Sequence, residues 1–206
     1  MKIIELNKKD FDEFAIKHKY RSFYQTSQYG TLMSNNGFKP IYIGLDDYGE
    51  IKAAALILVK NILFNFKFGY SPRGFLIDFN DFELVSSFTN LLRDYLMKQG
   101  FLYITIDPHV THLERDADVK PVGSEQNGVN ISESLKRIGY DHRGFNLYFE
   151  TYKPRWNMVL KTEEPTNMVF NSFEKSTRTK IRNSLRKGVE VYKGTKDDIK
   201  LLYKMV

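Results

Sequence analysis

The strongest chemical signal in the sequence is a group of cations near its end. Arg178, Arg182 and Arg186 are spaced four residues apart, so in a helix they share one face, and Lys180 lies between them. The chain carries a formal net charge of +6, and the whole excess lies in residues 171–206. This cluster predicts a site for a polyanion such as phosphate, nucleic acid or acidic lipid. The alternative is a solvated, lysine-rich helix face, and composition alone does not choose between them.

The residue types that are missing exclude several other chemistries. The chain has no cysteine, which excludes disulfides, thiolate metal sites and a cysteine nucleophile. Only His109 and His112 are close in sequence, in a predicted loop, and no third ligand is spaced to join them. We therefore predict no metal site. No glycine-rich phosphate loop and no serine-histidine-acid arrangement is evident, so neither a cofactor nor a covalent acyl-enzyme is expected.

Hydrophobic patterning predicts an α/β protein. Ile51–Lys60 is continuously apolar in its middle, which favours a strand buried on both faces. Asp81–Gln99 has the clearest helical spacing, and Phe101–Ile106 follows it as a strand. Further strands are predicted at Lys2–Leu6, Lys39–Leu45, Phe64–Tyr70, Tyr140–Gly144, Trp156–Leu160 and Val189–Tyr192. Further helices are predicted at Phe11–His18, Ser27–Asn35, Ile131–Ile138 and Asp197–Val206, with Thr111–Val129 as a polar loop. Asn167–Lys187 is predicted as a basic helix or a helical pair.

Five parts of the chain together resemble one known family. They are Gln25–Gly30 with Gly37–Tyr42, then Tyr70–Gly74, Tyr103–Pro108, Lys153–Trp156 and Phe173–Val191. In this order they resemble the FemABX family of peptidoglycan interpeptide-bridge aminoacyltransferases, whose members contain two GNAT-like modules in tandem. The stretch from Phe173, with its basic helix and Gly-Val sequence, looks most like the family.

The resemblance implies a fold and a domain organisation. The expected fold is a GNAT-like mixed central sheet flanked by helices, followed by the start of a second such module. Residues 1–152 are predicted as the first module, and residues 153–206 as a linker and the opening of an incomplete second one. The order strand, polar turn, helix in residues 3–18 recurs in residues 189–206 and agrees with a repeated module. We therefore expect a truncated form of a family member, whose activity as this chain is an open question.

The resemblance also implies a reaction and its partners. The expected reaction moves an amino acid from aminoacyl-tRNA to the peptide stem of a peptidoglycan precursor, either UDP-MurNAc-pentapeptide or a lipid-linked form. Both substrates carry phosphates, which Arg178, Lys180, Arg182 and Arg186 are expected to bind. Contact with the inner face of the membrane is compatible with these substrates. Oligomeric state and the amino acid transferred are not predicted.

Three further residues are candidates for the chemistry that this reaction needs. Asp107 is expected to orient or deprotonate the attacking amine, and Tyr103, on the same strand face, to contact the acceptor. Arg73, in a Pro-Arg-Gly turn, is expected to stabilise negative charge on the ester carbonyl. Each has a structural alternative: an Asp-Pro turn, a core aromatic residue and a surface arginine in a turn.

Three rival interpretations remain open. A single-module GNAT enzyme that uses acyl-CoA requires a glycine-rich pyrophosphate turn, which is not found in the sequence. A nucleic-acid-binding protein would use the basic segment, but that segment has few aromatic residues for base stacking. The chain could also fold without any activity of its own. Because the first residues lack a signal-peptide pattern and no apolar run is long enough to span a bilayer, a cytoplasmic protein is expected.

Overall fold

The computed structural model describes residues 1–62, 64, 66–111, 113–116, 118–122, 126–144, 158–160 and 162–205. The chain divides into two compact units, Met1–Arg143 and Gly144–Val206, which we describe one at a time. The predicted module boundary after residue 152 lies outside the described residues, as does Lys153–Trp156, and it stays a prediction. Within the described parts of the chain, no helix combines the length and apolar character needed to cross a membrane.

A five-stranded mixed sheet forms the centre of the first unit. Its strands lie in chain order: β1 (Lys2–Glu5), β2 (Lys39–Asp47), β3 (Glu50–Asn61), β4 (Lys67–Ser71) and β5 (Phe101–Ile106). Neighbouring strands from β1 to β4 run antiparallel, whereas β4 and β5 run parallel. The carboxyl ends of β4 and β5 therefore lie at the same edge of the sheet.

Strand β3 is buried on both faces, as its apolar sequence predicts. Successive side chains of a strand point to opposite faces, and here they enter two separate core layers. The first layer receives Ala53, Ala55, Ile57 and Val59, and the second receives Ala54, Leu56 and Leu58. Because burial of a Leu or Ile side chain contributes roughly 1.5–3 kcal/mol, this strand is a main source of the unit's stability.

Helix α3 (Phe82–Lys98) covers the first core layer. Its buried residues recur with helical spacing at Val85, Phe88, Leu92 and Leu96. Asp81 caps the helix, because its side chain accepts the Leu84 N–H at 3.0 Å. Gly100, with a φ of 80°, then turns the chain into β5, as the sequence predicts.

Helices α1 (Lys8–Lys17) and α2 (Ser27–Ser34) lie on the second core layer. Phe11 and Ala15 of α1 are buried there. Asn7 caps α1 by accepting the Asp10 N–H at 2.9 Å, as predicted, and Thr26 caps α2 by accepting the Tyr29 N–H at 3.1 Å. The mixed sheet with helices on both faces agrees with the predicted fold class.

The end of the first unit differs from the prediction in two places. The predicted polar loop contains a short hairpin, β6 (Glu114–Arg115) with β7 (Pro121–Val122), and then α4 (Gln126–Arg137). The Asp116 side chain builds the hairpin turn by accepting the N–H groups of Asp118 and Lys120, each at 2.9 Å.

The predicted strand Tyr140–Gly144 is wrong. The chain turns at Gly139, with a φ of 98°, and the Tyr140 hydroxyl lies 3.3 Å from the Thr89 hydroxyl on α3. Tyr140 also packs against the first core layer. Its ring therefore packs against a helix, and this segment pairs with no strand among the described residues.

Three helices make up the described part of the second unit: α5 (Thr166–Ser172), α6 (Lys175–Arg186) and α7 (Ile199–Met205). They confirm the predicted helical pair and the helix after it. The predicted strand Val189–Tyr192 is wrong, since it has no partner strand among the described residues and the Val191 side chain is 94% exposed. Residues 158–160, the described part of the predicted strand Trp156–Leu160, also form no strand.

Candidate functional site

The carboxyl ends of β4 and β5 bring two of the predicted site residues together. Ser71, the last residue of β4, is the register partner of Ile106, the last residue of β5. Asp107 follows directly, and its Oδ1 accepts a hydrogen bond from the Arg73 backbone N–H at 2.6 Å. Arg73 and Asp107 are both half-buried. A charge-assisted bond of this length fixes the orientation of the carboxylate at the edge of the sheet.

The turn that carries Arg73 has an unusual backbone. Arg73 has a φ of 52°, in the left-handed region that costs a residue with a Cβ roughly 1–2 kcal/mol. In this conformation its N–H points to Asp107. Among the described residues, Arg73 forms hydrogen bonds only through its backbone, and its guanidinium forms no ion pair there.

A buried glutamine, Gln25, forms hydrogen bonds with the same turn. Gln25 is fully buried, and its Nε2 donates to the Pro72 carbonyl at 2.7 Å. Its Oε1 accepts the Leu56 N–H on β3 at 2.9 Å. The side chain therefore connects the central strand to the residue immediately before Arg73.

Three aromatic residues, in α2 and just before it, pack against one another, and one of them faces Asp107. The rings of Phe23, Tyr24 and Tyr29 pack edge to face, with centroids 5.1 to 5.8 Å apart. Burial raises the pKa of Tyr29, and the charges of Tyr24 and Asp107 raise it further, which places this phenol within electrostatic reach of Asp107. Phe23 is 61% exposed, so part of this aromatic cluster is open to solvent.

Tyr103 does not join Asp107. It lies on β5 opposite Phe68 of β4, and the two rings are 5.4 Å apart. Tyr103 lies four positions before Asp107, or roughly 13 Å away along an extended strand at 3.3 Å per residue. The side chain is 49% exposed, which rules out the core aromatic interpretation and leaves its proposed contact with the acceptor as a prediction.

The predicted cation cluster lies in the second unit, on α6. Arg178, Arg182 and Arg186 occupy successive turns of this helix, whereas Lys180 lies on a different face. Lys180, Arg182 and Arg186 are exposed, and Arg178 is partly so. The Arg182 guanidinium lies 5.2 Å from the Phe170 ring centre, a cation–π distance that links α6 to α5. The row of arginines is formed, and its binding role stays a prediction.

Sequence reasoning found Asp107 and Arg73 but assigned no role to Gln25, Tyr24 or Tyr29. Gln25–Gly30 belongs to a segment that resembles the family, yet nothing in its spacing shows what these side chains contact. The partners of Gln25 are Leu56 and Pro72, and Tyr29 faces Asp107, so these pairs are 31 to 78 positions apart along the chain. Only folding brings these residues to one edge of the sheet.

Among the residues that the structure describes, no group of three or more His, Asp or Glu side chains is placed to hold a metal ion. His112, one of the two neighbouring histidines, lies outside the described residues.

Comparison with known sequences gives a consistent result. A sequence model described as the FemAB family matches residues 6–206. The aminoacyltransferase FemB of Staphylococcus epidermidis is 29% identical over 98% of this chain and 48% of its own length. The aminoacyltransferase FemA of Staphylococcus aureus is 30% identical over 81% of this chain and 40% of its own length. The chain thus spans about half the length of these curated relatives.

A solved structure with the same fold is also known. The crystal structure of FemX matches with a TM-score of 0.80 over 98% of this chain and 48% of that chain, at 22% identity. This similarity supports the mixed-sheet α/β fold.

Proposed function

The chain belongs to the FemAB family, and we propose that it takes part in transferring an amino acid from aminoacyl-tRNA to the peptide stem of a peptidoglycan precursor. The observation that carries this proposal is the Asp107 carboxylate, held 2.6 Å from the Arg73 N–H where β4 and β5 end. This geometry supports Asp107 as a proton acceptor beside the Arg73 turn, which attack by an amine on an ester requires.

Asp107 serves as the proton acceptor in this reaction. The acceptor's amine is protonated in water, and it becomes a nucleophile only after it loses a proton to the carboxylate. The amine nitrogen then bonds to the ester carbon, and the bond from that carbon to the ribose oxygen breaks. The nitrogen, which now carries a positive charge, gives a second proton to the departing ribose oxygen, so the products are an amide, a free ribose hydroxyl and a protonated Asp107.

The guanidinium of Arg73 stabilises the negative charge that develops on the carbonyl oxygen. Its backbone N–H is already bound to Asp107, so the side-chain cation is the group that remains for this role. Tyr103, exposed on β5, contacts the acceptor away from the reacting atoms.

The arginine row of α6 binds substrate phosphates. A guanidinium donates two parallel hydrogen bonds to a phosphate, and successive turns of one helix present three such groups: Arg178, Arg182 and Arg186. Lys180 adds a cation on a second face. The donor tRNA and the precursor are both polyanions, so this charge suits either one. A cytoplasmic location, with peripheral contact at the inner membrane face, is part of the same proposal.

The direct test is calorimetric binding of UDP-MurNAc-pentapeptide to this chain at low and moderate salt. We expect binding that weakens with salt, and an affinity at least about tenfold lower in the double variant Arg178→Ala/Arg182→Ala, equal to about 1.4 kcal/mol. The matched control is Lys196→Ala/Lys200→Ala, which removes the same charge from the same unit. Equal losses in the two variants would argue against a specific phosphate site, and no binding to the parent chain would reject the nucleotide-linked acceptor for this chain.

A further inference from the structure

The edge of β3 that faces β4 has a gap in its pairing. Leu58 pairs with Tyr70, and Ala54 forms an isolated bridge with Leu76. From Leu58 to Ala54 is four positions on β3, whereas from Tyr70 to Leu76 is six positions on the other segment. The segment after β4 therefore bulges out of the sheet by two residues, and Leu56 loses the backbone partner that a regular ladder would provide.

The side chain of Gln25 fills this gap. Its Oε1 accepts the Leu56 N–H at 2.9 Å, while the Ser71 hydroxyl donates to the Leu56 carbonyl at 2.9 Å. The Gln25 Nε2 lies 3.3 Å from Ser71 Oγ and donates to the Pro72 carbonyl at 2.7 Å. An amide has both a donor and an acceptor, so it can stand in for a strand residue where an apolar side chain cannot.

The bulge that Gln25 supports is the turn that holds the candidate carboxylate. Pro72, which receives the Gln25 bond, is followed directly by Arg73, whose N–H donates to Asp107 at 2.6 Å. A Cβ at Gly74 would lie 2.8 Å from Gln25 Nε2 and 2.2 Å from Ser71 Oγ, so the turn fits closely around the amide. A displacement of Gln25 is therefore transmitted through one peptide unit to the Arg73 N–H.

We propose that Gln25 is a positioning residue, which sets the orientation of the Asp107 carboxylate through the Pro72-Arg73 peptide. The catalytic part of this inference rests on the proposed aminoacyl transfer, whereas the structural part does not. Gln25 touches neither substrate nor the reacting atoms, and its effect is on the proton acceptor alone.

The test replaces Gln25 with methionine, which has a similar length and no amide. In amide NMR of the full chain, we expect the Arg73 N–H signal to move upfield and its solvent exchange to accelerate at least about tenfold, because its short bond to Asp107 is lost. The amides of α3 and β3 away from Leu56 should keep their positions. In transfer assays kcat should fall about 10²-fold, the loss that a displacement of about 1 Å can cause, with KM nearly unchanged.

Two further variants make the result interpretable. Gln25→Glu keeps an oxygen that accepts the Leu56 N–H but loses the N–H that donates to the Pro72 carbonyl, so it should also shift the Arg73 signal. This variant replaces Gln25→Met if the methionine variant does not fold. Gln99→Met makes the same change at an exposed residue before β5, at the opposite end of that strand from Asp107, and should change neither readout.

The two readouts separate failure of this inference from failure of the proposed function. An unchanged Arg73 signal in folded Gln25 variants would overturn the inference, whatever the activity. A shifted signal with unchanged kcat in an active enzyme would overturn its catalytic part. If the parent chain performs no transfer but the Arg73 signal still shifts in the Gln25 variants, the result would support the positioning role and count against the proposed function only.

Discussion

Among single residues, Asp107 carries the most direct prediction. Asp107→Asn keeps an oxygen that accepts the Arg73 N–H but removes the basic carboxylate. We expect kcat for amino acid transfer to fall about 10²- to 10⁴-fold, the usual contribution of a positioned general base, while KM and thermal stability change little. Steady-state kinetics and a thermal melt measure these quantities.

The control for that substitution is Asp94→Asn, which makes the same change at an exposed position of α3. Its kinetics should equal those of the parent. If kcat falls less than threefold in Asp107→Asn, Asp107 has only a structural role in the Asp-Pro turn.

Tyr29 reports on the charge of Asp107 independently of any reaction. Burial raises the pKa of this phenol, and the negative charge of Asp107 contributes to the rise. Removing that charge in Asp107→Asn should therefore lower the pKa of Tyr29, because the phenolate no longer faces a carboxylate. A pH titration of the Tyr29 ring by NMR measures the shift.

In the control Asp94→Asn, the pKa of Tyr29 should equal that of the parent. An unchanged Tyr29 pKa in Asp107→Asn would refute the proximity of Tyr29 to the carboxylate.

At the scale of elements, the close contact of α2 with β2 depends on Gly30. A Cβ at this position would lie 2.4 Å from the Tyr42 hydroxyl oxygen and 3.1 Å from Pro40 Cβ. Gly30→Ala should therefore lower the free energy of unfolding by roughly 1–3 kcal/mol, the cost of overpacking a buried contact, even though alanine favours helix. Urea denaturation measures the change. Gln28→Ala, at an exposed position of the same helix, should stay within about 0.5 kcal/mol of the parent.

Helix α3 and strand β1 are connected by a hydrogen bond that depends on pH. The Tyr95 hydroxyl donates to the Glu5 carboxylate. Burial and this bond raise the pKa of Tyr95 to about 12. Because the raised pKa favours the protonated phenol in the folded state, its stabilisation is complete below pH of about 10, the ordinary tyrosine value, and is lost as the pH approaches 12.

Tyr95→Phe tests this connection. The stability difference between parent and variant, measured by chemical denaturation, should be present at neutral pH and decrease above pH of about 10. Tyr48→Phe serves as the control, because the Tyr48 side chain is fully exposed. A difference that does not vary with pH would show that Tyr95 contributes through packing rather than through its hydroxyl.

At the scale of the whole molecule, the two units should differ in local stability. The first contains both core layers, whereas none of the residues described in α5, α6 and α7 is buried. Hydrogen exchange followed by mass spectrometry should show slow exchange in α3 and β3 and rapid exchange in α5 to α7. Equal protection of α6 and α3 in the isolated chain would contradict this expectation.

Sequence patterns predicted those elements whose character depends on local physics. The helix after Asp81, its end at Gly100 and the cap at Asn7 follow from side-chain periodicity and from hydrogen bonds within one turn. The doubly buried strand β3 could also be predicted, because its apolar run leaves no solvated face. The mistaken strands, at Tyr140–Gly144 and Val189–Tyr192, depended on pairing partners that the local sequence cannot specify.

The sequence by itself therefore determined the mixed α/β fold, the arginine row of α6 and the candidacy of Asp107 and Arg73. Only the tertiary structure decided that Asp107 accepts the Arg73 N–H, that Tyr29 lies within reach of the carboxylate and that Gln25 replaces a missing strand partner of Leu56. Periodicity and capping act over a few residues, so the sequence displays them directly. The contacts at the candidate site join residues 31 to 78 positions apart, and the contact of Arg73 with Asp107 forms because the parallel strands β4 and β5 end at one edge of the sheet.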